Sequence, residues 1–181
     1  MAAFVGAFVR LISSLRNDLN ARILLVSAYE PGVEPWEDDV IWLEQIKSYF
    51  VSDDDVRLVD RPMSLAGYCL LLGDLDLMIA ARLHSSLTAV RLGVPAINLS
   101  YTLKGRHIFE NMGLQDNVFD IEGFIESPSK VFNRATQLLH DPNAKARTRE
   151  LVERVVEANE ETLSDFLRRW CEGKICKGIE D

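Results

Sequence analysis

Asp76-Leu-Met-Ile-Ala-Ala-Arg82-Leu-His84-Ser-Ser-Leu87 is the stretch that decides how this chain folds. Its front is a continuous apolar run, and Leu75–Ala80 reads as a strand buried on both faces of a parallel sheet. The run ends on an arginine and a histidine. Ser85 to Leu92 then reads as a helix, halted by Gly93 and Pro95. A second strand follows at Ala96–Leu99. After it come a second polar turn, Ser100-Tyr-Thr-Leu, and a second helix from Lys104 to Met112, closed by Gly113. Strand, loop, helix and strand in this order place the loops at the carboxyl ends of parallel strands, where open α/β proteins bind anionic ligands.

The same alternation extends in both directions. A helix over residues 2–19 carries the stripe Phe4, Phe8, Ile12, Leu15 and Leu19. A strand at Arg22–Ala28 contains the unbroken run Ile-Leu-Leu-Val. Trp36 to Phe50 is an amphipathic helix with acids in its first turn, Val56–Val59 a strand, and Ser64 to Leu72 a short helix capped by Ser64. Downstream, Val118–Ile121 is a short strand, and two helices occupy Pro128–His140 and Asn143–Trp170. This pattern predicts a Rossmann-like α/β fold over residues 1–170, with a mainly parallel five-stranded sheet, helices on both faces, and a polar tail at 171–181. One departure stands out. Such domains open on a strand, often a central one, whereas this chain opens on a helix. Either the sequence begins one strand late, or the N-terminal helix has another role.

Composition narrows the function. The formal net charge of −8 argues against a general nucleic-acid binder or a protein attracted to anionic membranes. The N-terminal apolar stretch is broken by Arg10 and Arg16 and lacks a preceding positive charge, so it does not read as a signal peptide. No stretch is long enough to span a bilayer. Three cysteines, Cys69, Cys171 and Cys176, form no even framework and no CxxC, which fits reduced thiols and a cytoplasmic location. No His, Cys, Asp and Glu spacing suits a metal, and GxGxxG, GxxxxGKS and GxSxG are all missing. Neither metal nor cofactor is expected.

Within this acidic chain, Leu77 to Phe109 holds no Asp or Glu, yet carries Arg82, Arg91, Lys104, Arg106, His84 and His107. An anion site belongs here. Arg82 can grip a carboxylate or phosphate with two prongs, and His84 can move a proton near neutral pH. The amides and hydroxyls of Ser85 and Ser86 sit where a helix N-terminus favours an anion, and Tyr101 and Lys104 lie on the next loop. Plainer readings stand beside these. Arg82 can pair with Asp74 or Asp76, His84 and the serines can be helix caps, and Arg91, His107 and His140 can be surface or structural residues.

Asp76-Leu-Met-Ile-Ala-Ala-Arg82-Leu83-His84, then Leu92-Gly-Val-Pro-Ala-Ile-Asn-Leu-Ser-Tyr101-Thr-Leu-Lys104, then Met112-Gly113-Leu114, together resemble the C-terminal half of the polysaccharide pyruvyl transferase family. The resemblance spans about residues 22–121 and is sharpest from Asp76 to Leu114. It implies a domain like the C-terminal one of the two-domain glycosyltransferase-B-like architecture. It also implies transfer of pyruvate from phosphoenolpyruvate to a sugar as a ketal, in cell-surface polysaccharide biosynthesis. On that resemblance Arg82 holds the donor, His84 acts as acid or base, and Ser85, Ser86, Tyr101 and Lys104 complete the donor site. The partners it implies are phosphoenolpyruvate and a sugar or polysaccharide acceptor; an exposed strand edge adds self-association. The alternatives are a nucleotide-sugar glycosyltransferase of the same architecture, with Glu110 the nearest carboxylate for a ribose, and a truncated, non-catalytic binding or assembly domain.

Overall fold

The computed structural model describes residues 2–28, 39–59 and 63–171. The expected loop Tyr29–Glu34, the helical start at Trp36, residues 60–62, and the tail after Cys171 with Cys176 lie outside the described residues. The elements run α1 (Ala2–Leu19), β1 (Ile23–Val26), α2 (Asp39–Lys47), β2 (Val56–Val59), α3 (Leu65–Gly73), β3 (Met78–Ala80), α4 (Leu83–Arg91), β4 (Ala96–Ser100), α5 (Leu103–Asn111), β5 (Val118–Asp120), α6 (Ile121–Glu126), α7 (Pro128–His140) and α8 (Ala144–Cys171).

Every strand pair is parallel, as the continuous apolar runs require. β4 is buried at all five positions and lies between β3 and β5, with Ile79 beside Ile97 and Leu99 beside Phe119. The expected single five-stranded sheet is divided, however. β1 pairs with β2, β3 with β4 and β4 with β5, and no ladder joins β1 to β3. Apolar periodicity marks strands but carries no information about which strand is a neighbour, so the only hint of an interrupted sheet in the sequence was its opening on a helix. Element ends shifted by one to three residues: β3 starts at Met78 and α2 ends at Lys47, each three residues from its expected bound, while α5 starts at Leu103 and β5 ends at Asp120. Helix α6 was not expected. Asp120 ends β5 and caps α6 by accepting from the Gly123 amide at 3.0 Å, so strand passes directly into helix. The predicted cap of α3 is present, with Ser64 accepting from Gly67 N–H.

Helix α1 joins the two sheets. Its residues Ala7, Leu11 and Leu15 form one cluster with Ile97, Leu99, Phe124, Val131 and Ala135, while Val5 and Ile12 enter another with Leu25, Ile46 and Val56. A third cluster, on Leu72, Ala89, Val90, Val94 and Ala96, also takes in Leu151 and Val152 of α8. Gly93, at φ +78°, ends α4, and a Cβ there would stand 2.5 Å from Arg149 Cγ. Only glycine serves both the turn and the close passage of α8.

The end of α1 is tied to the turn before β2. Arg16 donates to both carboxylate oxygens of Asp53 (2.8 and 3.0 Å), to Asp55 (3.0 Å) and to the Ala21 carbonyl (2.8 Å). The hydrogen bonds from Arg16 hold the Asp53 carboxyl below its ordinary range, against an opposing contribution from burial, and the Asp55 amide reinforces them. A depressed folded pKa stabilises the fold above the unfolded value near 4, and that contribution is lost as pH falls through the lower folded value. Asp53→Asn is therefore expected to narrow the stability difference between pH 7 and pH 3, read from urea midpoints at the two pH values. An unchanged difference would show that this pair carries no pH dependence.

Candidate functional site

Arg82 and His84 sit where β3 gives way to α4. Arg82 is the N-cap residue of α4, in extended backbone, and its carbonyl accepts from the amides of Ser85 (3.2 Å) and Ser86 (3.4 Å). Those two amides, expected to be open to a ligand, are thus used within the helix start. Leu83 and His84 hold the first two positions of α4, whose amides have no intrahelical acceptor. The serine side chains are also turned inward. Ser85 and Ser86 are buried, and the Ser86 hydroxyl donates toward the Leu83 carbonyl (3.1 Å) and accepts from Asn98 Nδ2 (2.9 Å). His84, by contrast, is exposed, with its imidazole free of hydrogen bonds among the described residues.

Arg82 has a strong partner, and it is neither Asp74 nor Asp76. Its guanidinium meets the Asp39 carboxylate, with Nε at 2.9 Å from Oδ1 and 2.8 Å from Oδ2. Asp76 pairs with Lys145 instead, and Asp74 is the C-cap of α3. Asp39 opens α2, a favourable place for an anion, and also accepts from the Ala28 amide just past β1 (3.3 Å). One carboxylate therefore gathers the carboxyl ends of β1 and β3. Tyr68, on α3, belongs to the same neighbourhood. Burial pushes its phenol above the ordinary tyrosine range, opposed by the nearby Ser85 side chain and aided by the Asp39 charge, and its hydroxyl makes no well-formed hydrogen bond among the described residues.

The second loop leaves the neighbouring strand at the same edge, because Ala80 of β3 stands beside Asn98 of β4. Tyr101 is 64% exposed and Lys104 is exposed, on either side of Thr102, which caps α5 by accepting from the Gly105 amide at 3.4 Å. Arg106 and His107 are exposed on the first turns of α5, as expected for His107. Beneath them, Asn98 is fully buried. Its amide group donates to the Ala80 carbonyl (3.3 Å) and to Ser86, and its Oδ1 has no partner among the described residues. Gly105 lets α5 approach this layer. A Cβ there would lie 2.4 Å from Ser100 Oγ and 3.0 Å from Asn98 Oδ1. Gly105→Ala is expected to cost about 1–3 kcal/mol, the range for overpacking a closed site. Urea denaturation checks it, and a loss below about 0.5 kcal/mol would mean that Ser100 turns aside without penalty.

This edge presents two helix starts, exposed cations and the exposed imidazole of His84, with His107 further along α5, a set able to hold a compact anion and deliver a proton. A family model of polysaccharide pyruvyl transferases matches residues 2–102 of the chain. The chain belongs to the polysaccharide pyruvyl transferase family. No curated protein and no solved structure is significantly similar to it. The family match covers the Arg82–His84 turn and Tyr101, and stops short of Lys104 and the Gly113-Leu114 ending. It identifies a transferase family that acts on polysaccharide. Among the described residues, no helix is long and apolar enough to cross a membrane.

Asp39, Tyr68, Asn98 and Gly105 were absent from the sequence-based site. Asp39 was one acid among several, and only the fold brings it to Arg82. Gly105 left a usable signal, a glycine on the first turn of a helix directly after a buried strand, where close helix–strand packing asks for one.

Proposed function

We propose that the carboxyl edge of β3 and β4 is the donor half of a pyruvyl transferase cleft that uses phosphoenolpyruvate. The observation that carries this reading is that Arg82 and His84, together with Tyr101 and Lys104, leave adjacent parallel strands at one edge in a chain of this family. Arg82 exchanges Asp39 for the donor's carboxylate or phosphate, and the starts of α4 and α5 add their dipoles. His84 gives a proton to the enol methylene, leaving an oxocarbenium-like carbon that an acceptor hydroxyl attacks. A second acceptor hydroxyl then displaces phosphate and closes the ketal. One hydroxyl proton replaces the proton spent on the methylene, and the other leaves with phosphate, so the reaction balances without a redox partner.

Calorimetric titration of the chain with phosphoenolpyruvate tests the reading, with nucleoside diphosphates as the comparison. Arg82→Ala is expected to weaken phosphoenolpyruvate binding by about 2–4 kcal/mol. Arg82→Lys should not restore it, because the two-pronged geometry is lost. Asp39→Asn removes the competing carboxylate and should tighten binding by about fivefold, the upper end for an ion pair that solvent still reaches. Binding that weakens in Asp39→Asn would mean that the pair positions the site instead of blocking it. Saturable binding of a nucleoside diphosphate, with no response to phosphoenolpyruvate, would replace this reading with a nucleotide-sugar glycosyltransferase.

A further inference from the structure

Asn98 stands in the middle of β4, the central strand of its sheet, and is fully buried. A carboxamide in such a place costs free energy unless its groups are bonded. Its nitrogen is bonded twice. Nδ2 donates to the Ala80 carbonyl at the end of β3 (3.3 Å) and to Ser86 Oγ on α4 (2.9 Å). A backbone carbonyl can only accept, so the nitrogen faces Ala80 and Oδ1 is turned the other way, toward Gly105. The orphaned acceptor is the consequence of how the two donors are used.

Ser86 passes the contact on. Its hydroxyl accepts from Asn98 and keeps one proton, shared between the carbonyls of Leu83 (3.1 Å) and Arg82 (3.3 Å). The Arg82 carbonyl also takes the amides of Ser85 and Ser86. One carboxamide on β4 therefore holds both ends of the segment from Ala80 to Ser86, and Arg82 and His84 lie between those ends. Ala80, Ser86 and Asn98 are all buried, so bulk water does not compete for these bonds. A leucine or valine, the ordinary occupant of a buried parallel strand, would leave Ala80 and Ser86 without this donor.

We propose that Asn98, acting through Ser86, is the positioning residue for Arg82 and His84. The ion pair with Asp39 orients the Arg82 side chain from outside, but only until an anion takes the place of that carboxylate. The contact from Asn98 is made to the backbone and persists through the exchange. A turn free to relax at that moment would shift His84 against the bound anion, and a misplacement of about 1 Å costs on the order of 10²-fold in rate. This inference rests on the reading of the β3–β4 edge as the donor site; the clamp itself is the same whichever anion binds.

Amide hydrogen exchange and turnover of the full chain test it, in Asn98→Ala and in Ser86→Ala, which removes only the link and carries the test where Asn98→Ala fails to fold. Both are expected to speed exchange at Ser85 and Ser86 by at least about tenfold, leaving Leu11 in α1 and Ala135 in α7 unchanged. Turnover of phosphoenolpyruvate should fall by roughly 10–100-fold. In the His84→Ala background the same changes should cost less than about threefold, because they act through the residue already removed. Unchanged exchange at Ser85 and Ser86 would overturn the proposal. So would an equal rise at Leu11 and Ala135, which makes Asn98 a residue of general stability, or an equal loss of turnover with and without His84. Should the parent chain turn over no phosphoenolpyruvate, the donor reading falls, and the exchange pattern alone decides whether Asn98 holds the turn.

Discussion

In pyruvyl transfer from phosphoenolpyruvate, His84→Ala is expected to lower turnover by about 10²–10⁴-fold, the usual worth of a positioned general acid or base. The position supports so large an effect. His84 lies on the first turn of α4, exposed, two residues after an arginine already oriented by a carboxylate. Its imidazole makes no hydrogen bond among the described residues, so the fold should survive the change. On the proposed reading Arg82 keeps most of the donor binding. Turnover should therefore fall at saturating phosphoenolpyruvate while affinity changes little. His84→Gln, which can hydrogen-bond but cannot transfer a proton, should be nearly as slow as alanine. Phosphate release at saturating donor and acceptor measures the effect. Equal turnover in wild type and His84→Ala would remove His84 from the chemistry and leave it a solvated helix residue.

Phe124→Ala is expected to cost about 3–5 kcal/mol of folding stability, the range for deleting a buried aromatic side chain. Phe124 is 1% exposed and meets Phe8 edge to face, with ring centres 5.0 Å apart. It stands in the cluster that joins α1, β4 and α7. No flexible neighbour is placed to fill the space, because Ile97, Leu99 and Val131 are themselves buried and packed. Set against a total stability of about 5–15 kcal/mol, a loss of this size leaves a substantially weakened fold. Urea denaturation should show the midpoint falling by on the order of 1–2 M. A loss below about 1 kcal/mol would mean that α6 does not dock on α1 in solution.

The contrast between these residues shows what a linear reading can reach. His84 and Arg82 were legible because chemistry and local order coincide: an apolar strand, a cationic turn, and a helix start lie within a dozen residues. Phe124 was not singled out, because α6 itself was not expected. A six-residue helix is too short to show periodicity, and its start signal, Asp120 three residues before Gly123, falls inside what reads as a strand end. Ser85 and Ser86 were read as donor-site groups because they stand at a helix N-terminus, with helix capping as the plainer reading. The structure turns both inward and spends their amides on the Arg82 carbonyl.

The sequence alone determined the strands, most of the helices and their parallel class, since each depends on apolar periodicity and on stop signals such as Gly93 and Pro95. It also located the longest segment free of acids, Leu77 to Phe109, because charge is read directly from composition. Only the tertiary structure decided what depends on neighbours in space. Asp39 reaches Arg82 across 43 residues because parallel strands gather their carboxyl ends at one edge. The five strands fall into groups of two and three because an apolar strand specifies burial but not a partner, and pairing is settled by backbone groups that every residue shares.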